Sequence, residues 1–180
     1  MLFRSIPAWR EDLAWYAGRP NLRVLEIGSF EGLASVWLLR NILTDETCRL
    51  VSIGRYEIDS WPTLTYQRNL NSQDVQKRVS IHRGSLSEIL TSFDGLLFDF
   101  ICIDHLLTTS EFLELPLLAW KLLKTGGVMI IDDHLLSSHP IYSVMSPLCK
   151  PEAGIDRLLS THQTEYVLLR DAYHMAVRKV

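Results

Sequence analysis

The chain has little cysteine, no excess of charge of one sign and no long apolar run. Cys48, Cys102 and Cys149 are odd in number and far apart. No C-x-x-C spacing occurs, which argues against a disulfide framework or a cysteine zinc site. Cys102 sits inside an apolar run and reads as a small core residue. Lysine and arginine number 18 against 21 aspartates and glutamates, for a formal net charge of −3. A nucleic-acid-binding face usually declares itself through clustered basic residues. Only short pairs such as Lys77-Arg78 occur here, so no nucleic-acid partner is expected. No stretch reaches the roughly 18 uncharged apolar residues of a membrane helix, so no membrane partner is expected. Arg4, Arg10, Glu11 and Asp12 interrupt the N-terminal apolar residues where a signal peptide would keep its apolar core. The chain reads as cytoplasmic.

What is present is ordinary globular material. The 180 residues are 47% hydrophobic and 22% charged, enough for one core and one domain over residues 1–180. Residues 7–17 read as a short amphipathic N-terminal helix, broken by Gly18-Arg19-Pro20-Asn21. Strands are expected at Arg23 to Ile27, Arg49 to Ile53, Val79 to His82, Phe98 to Ile103 and Val128 to Ile131. Helices are expected from Gly32 to about Leu43, from after Pro62 to about Asn71, and over Ser85 to Thr91, Glu111 to Leu123 and Ala153 to Ser160. Ser85 with Glu88 has capping-box spacing. Pro116 predicts a kink or a later start in its helix. Thr125-Gly126-Gly127 reads as a helix-to-strand turn. Glu165 to Leu169 and Tyr173 to Val177 read as a closing hairpin. The alternation predicts an α/β fold, a doubly wound, mostly parallel sheet.

The most informative stretch is Val24-Leu25-Glu26-Ile27-Gly28-Ser29-Phe30-Glu31-Gly32. A buried strand runs through an acid and a glycine, and a second glycine follows four residues later at the head of a helix. In a doubly wound sheet this first strand–helix turn is where a nucleotide-like ligand lies. It departs from G-x-G-x-x-G, because Glu26 stands where the first glycine would be. A pyrophosphate disfavours that carboxylate, whereas a cationic amino-acid ligand suits it. Two later strands end in Asp104-His105 and in Asp132-Asp133-His134. Strand C-termini line the ligand crevice of such sheets, so these groups should share an edge with Glu26. Two uses are open: a hard cation on Asp104, Asp132 and Asp133, or a carboxylate–histidine general base acting on a hydroxyl.

With these pieces in place, the chain resembles the class I S-adenosylmethionine (SAM)-dependent methyltransferases, and within them the O-methyltransferase-like group called methyltransferase family 24. The resemblance rests on residues 24–32, on Phe98 to Asp104, on Leu122 to Asp133, and on Gly154-Ile155-Asp156 with Tyr173 to Lys179. It implies a Rossmann-like seven-stranded sheet with an antiparallel C-terminal hairpin strand. It implies SAM as cofactor, with Glu26, Gly28, Ser29 and Gly32 around the methionine half, Ser85 and Leu86 flanking adenine, and Asp104 near the transferred methyl. It also implies a Mg²⁺ site like that of catechol O-methyltransferase-like enzymes, at Asp104, Asp132 and Asp133, with Asp133 in place of the usual Asn. On the residues themselves, Asp104, His105 and His134 are the catalytic candidates, with either histidine as the base. Two positions depart from the pattern. The acid expected to end strand two and bind the ribose hydroxyls is Gly54, leaving Glu57 or Asp59 as substitutes. The catalytic lysine of the catechol enzymes falls at Leu107. The expected activity is methylation of a hydroxyl on a small-molecule acceptor, in a chain that could form a homodimer. The alternative is a methyltransferase-like protein without catalysis, serving as a binding or scaffold module and docking a partner on the aromatic segment Tyr56 to Tyr66.

Overall fold

Apolar runs too short for helices and bounded by turn residues become the central strands. In the computed structural model, which describes residues 6–54, 61–73, 75–103, 108–132 and 151–180, they form one seven-stranded sheet of order β3-β2-β1-β4-β5-β7-β6. The strands are β1 (Arg23–Ile27), β2 (Arg49–Gly54), β3 (Val79–Arg83), β4 (Phe98–Ile103), β5 (Leu123–Ile131), β6 (Tyr166–Asp171) and β7 (Met175–Lys179). The helices are α1 (Ile6–Asp12), α2 (Leu33–Asn41), α3 (Trp61–Ser72), α4 (Leu86–Ser92), α5 (Thr109–Lys121) and α6 (Pro151–Thr161). The first five strands pair in parallel. Only β7 runs antiparallel to both of its neighbours, β5 and β6.

Both faces of the sheet are covered. Leu25, Ile27, Ile101 and Ile103 point into a core built with Leu90 of α4, Phe112 and Trp120 of α5, and Leu158 of α6. Val24, Leu50, Phe100 and Ile130 point the other way, onto Trp9, Leu38, Tyr66 and Leu70 from α1, α2 and α3. Burial on both faces is why these strands read as continuous apolar runs.

Three local expectations need correction. The capping box at Ser85 does not form: Ser85 is the N-cap of α4, but its side chain makes no cap bond. The box forms one helix later, where Thr108 and Glu111 bond each other's backbone at the start of α5. That cap lets α5 begin earlier than expected, and the helix runs through Pro116. Finally, β5 starts at Leu123 rather than Val128, because the glycine pair is absorbed as an irregularity in its pairing with β4. Gly126 sits at φ 81°. A Cβ on Gly127 would stand 2.8 Å from the Asp99 carbonyl oxygen.

The carbonyl freed by Pro116 lies against α6. Proline has no N–H, so the Phe112 carbonyl loses its helical donor. Gly154 lies against that carbonyl, where a Cβ would come within 1.9 Å of the oxygen. Nearby, Arg157 Nη1 donates to the Leu113 carbonyl at 3.2 Å.

Candidate active site

The strand order reverses direction between β1 and β4, which places the turn after β1 at the switch point of the sheet. The turn is built from unusual backbone. Gly28 has φ 95° and Gly32 has φ 79°, and Phe30 is held at φ 44°, a conformation that side chains other than glycine rarely adopt. Gly28 N–H donates to the Ile53 carbonyl of β2 at 2.9 Å, and Gly32 N–H closes onto the Ser29 carbonyl at 2.7 Å. These bonds fix the course of the loop before any ligand arrives.

Beneath the turn lies a polar cluster that sequence reasoning missed. Glu26 is fully buried, and Ser29, Ser35, Ser52 and Tyr66 around it are buried too. Ser35 of α2 donates its hydroxyl to Glu26 Oε2 and lies 3.0 Å from the Tyr66 hydroxyl. Ser29 and Ser52 share a hydrogen bond. Burial pushes the Glu26 carboxyl above its ordinary range, against the hydrogen bonds of the serines, which pull it down. Burial, then the neighbouring Glu26 charge, also raises the Tyr66 hydroxyl. The available signal was the serine three residues after Gly32, together with a tyrosine in the helix after β2. Only the packing of α3 on α2 brings them together.

Gly32 serves this cluster. A Cβ there would stand 1.9 Å from the Tyr66 ring, so the space left by the missing side chain is filled by Tyr66. The aromatic segment is therefore not a free surface at its C-terminal end, because Tyr66 is 1% exposed.

Ser85 is exposed at the head of α4, while the Leu86 side chain packs into the core with Leu90 and Phe93. Asp132 is buried just beyond β5, and its N–H donates to the Ile103 carbonyl at the end of β4, 2.9 Å away. The ends of β4 and β5 thus lie side by side. Asp59, Asp104, His105, Asp133 and His134 lie outside the described residues, as does the 135–150 segment expected to carry acceptor contacts. Among the described residues no group of three acids, histidines or cysteines could hold a metal, and no helix is long and apolar enough to cross a membrane.

The site can be tested for fit to SAM on one atom. Glu26 Oε1 is buried and has no hydrogen-bond partner among the described residues, an acceptor that suits the ammonium end of an amino acid.

Comparison with known proteins bears on the family and the fold. A family described as a methyltransferase domain, family 24, matches residues 25–134. No curated protein matches the sequence. The O-methyltransferase TomG of Streptomyces achromogenes, solved with SAM, superposes with a TM-score of 0.67 at 22% identity, covering 97% of this chain and 80% of that one. The O-methyltransferase of Bacillus cereus, solved with S-adenosylhomocysteine (SAH), gives 0.71 at 20% identity, covering 96% and 81%. The SAH-bound methyltransferase PaMTH1 of Podospora anserina gives 0.64 at 16%, covering 88% and 71%. At these identities the likeness is one of fold. The family match spans more than half the chain, and the protein belongs to methyltransferase family 24, among the class I SAM-dependent methyltransferases.

Proposed function

We propose that this methyltransferase is O-directed and takes a small-molecule hydroxyl acceptor at the C-terminal ends of β4 and β5. The observation that carries the reading is the bond from Asp132 N–H to the Ile103 carbonyl. It sets the strand end leading to Asp132-Asp133-His134 beside the one leading to Asp104-His105, next to the glycine turn. Glu26, Gly28 and Ser29 would hold the amino-acid half of the cofactor, with the stretch at Ser85 near the adenine. Bound there, SAM supplies an electrophilic methyl group on a sulfonium. The protein's part is alignment and proton removal. Holding the acceptor oxygen in line with the methyl would supply most of the acceleration, and His105 or His134 would take the hydroxyl proton. Mg²⁺ on Asp104, Asp132 and Asp133 would add charge stabilisation on the acceptor oxygen, and chelation tests that part separately.

Calorimetric titration of cofactor-stripped protein with SAM and SAH, with and without Mg²⁺, followed by an acceptor screen, tests the reading. Binding of both ligands with turnover on hydroxyl acceptors, lost in Asp104→Ala, is expected. Unchanged turnover in Asp104→Ala sinks the assigned centre. A second reading, a non-catalytic module of the same fold, is favoured by Gly54 at the end of β2, and it predicts no binding of either ligand.

A further inference from the structure

The ribose corner of the cleft carries a charge of the opposite sign to the one the family pattern expects. β2 ends at Gly54, which is buried, so among the described residues no carboxylate stands at that strand end. Directly across the ladder, the Cα partner of Gly54 is Arg83, the last residue of β3. The backbone of the corner is satisfied, with Gly84 N–H donating to the Gly54 carbonyl at 3.1 Å. The arginine is not. Its Nε and Nη2 are buried, and neither has a hydrogen-bond partner among the described residues. Arg83 is half-buried, and two buried N–H donors left unsatisfied are costly, so the position favours an acceptor, best an anion, that the described residues do not supply.

Guanidinium matches phosphoryl oxygens in a two-pronged fork. In dinucleotide-binding sheets, an arginine near the end of strand two accommodates a ribose phosphate where an acid would otherwise hold the ribose hydroxyls. The pairing of Gly54 with Arg83 has that chemistry. We propose that Arg83 is an anion subsite at the ribose corner, taking a phosphoryl group either esterified to the ribose of an adenosine ligand or as inorganic phosphate bound beside it. The proposal rests on the methyltransferase reading only for which end of the cleft holds the ribose.

The test is calorimetry on the full chain as wild type, Arg83→Gln and Arg83→Lys. Adenosine is compared with adenosine 2′- and 3′-monophosphate, and SAH is titrated in phosphate-free buffer and in excess inorganic phosphate. A phosphate ester binding about tenfold tighter than adenosine identifies the esterified source, and a similar gain for SAH in phosphate identifies the free ion. Either gain should vanish in Arg83→Gln and survive in part in Arg83→Lys. Wild-type protein that shows neither gain overturns the proposal. A gain that persists in Arg83→Gln overturns it equally. SAH in phosphate-free buffer reads the cofactor assignment independently: phosphate-ester binding without SAH binding sinks the cofactor and leaves the subsite standing.

Discussion

Gly32 meets two demands at once, a left-handed backbone and a missing side chain where the Tyr66 ring lies. Gly32→Ala should therefore destabilise by about 3 kcal/mol, combining the left-handed penalty with overpacking. Urea unfolding would measure it, and Tyr66→Ala in the same chain should recover the overpacking part while leaving the backbone part. Glu26 makes a second prediction, through pH. Its folded value lies above its unfolded one because burial favours the neutral form. Its contribution to stability is therefore complete below the ordinary carboxylate range and is lost as pH rises through the folded value. Melting temperature should fall over that rise in the wild type, and Glu26→Gln should flatten the profile. A variant profile parallel to the wild type would contradict the burial argument.

Helix contacts follow the same logic at larger size. Pro116 frees a carbonyl in α5, and Gly154 is the residue that lets α6 sit on it. Gly154→Ala should cost about 2 kcal/mol by forcing the two helices apart, read as a lower urea midpoint. The N-terminal helix is tied to the far end of the chain by Asp12, which accepts from Arg170 Nε at 2.9 Å and pairs with His174 Nε2 at 2.7 Å. Burial pushes the Asp12 carboxyl up, but the hydrogen bonds from His174 and Arg170 outweigh it and hold it below its ordinary value. That stability is present above the unfolded carboxylate range and is lost as pH falls through the folded value. Asp12→Asn should cost about 2 kcal/mol near neutrality and reduce the acid sensitivity, as followed by circular dichroism against pH. The elements themselves were largely legible in the sequence. Arg23–Ile27 and Phe98–Ile103 emerge at their expected bounds because apolar runs closed by polar residues leave little choice. The start of β5 was not legible, since a glycine pair inside a bulge looks the same as a turn. Nor was the Glu26–Ser35–Tyr66 cluster, whose members lie on three elements and meet only once α3 packs. Glu26, Gly28 and Gly32 could be picked out as a turn from their spacing, but that Gly32 serves Tyr66 could not.

The sheet order puts β1 and β4 at the centre, with α1–α3 on one face and α4–α6 on the other. One edge of that sheet collects the glycine turn, the buried Glu26, the Gly54–Arg83 corner and the paired ends of β4 and β5. A ligand on this edge would contact strands far apart in sequence, so its binding energy should appear as stability of the whole molecule. For one site, free ligand at a hundredfold excess over its dissociation constant stabilises the folded state by about 2.7 kcal/mol. In a chain of this size that corresponds to a rise in melting temperature of roughly 5–10 °C. SAH should produce this rise in the wild type. The rise should be much smaller in Gly28→Ala, where φ 95° would hold a side chain in strained backbone at the turn. Adding Mg²⁺ without SAH separates the metal from the cofactor: a rise with Mg²⁺ alone, abolished in Asp132→Asn, would assign the ion to the paired ends of β4 and β5. A melting temperature indifferent to SAH at every concentration would mean that the fold has kept the shape of a methyltransferase without its cofactor, and the non-catalytic reading would then account better for Gly54.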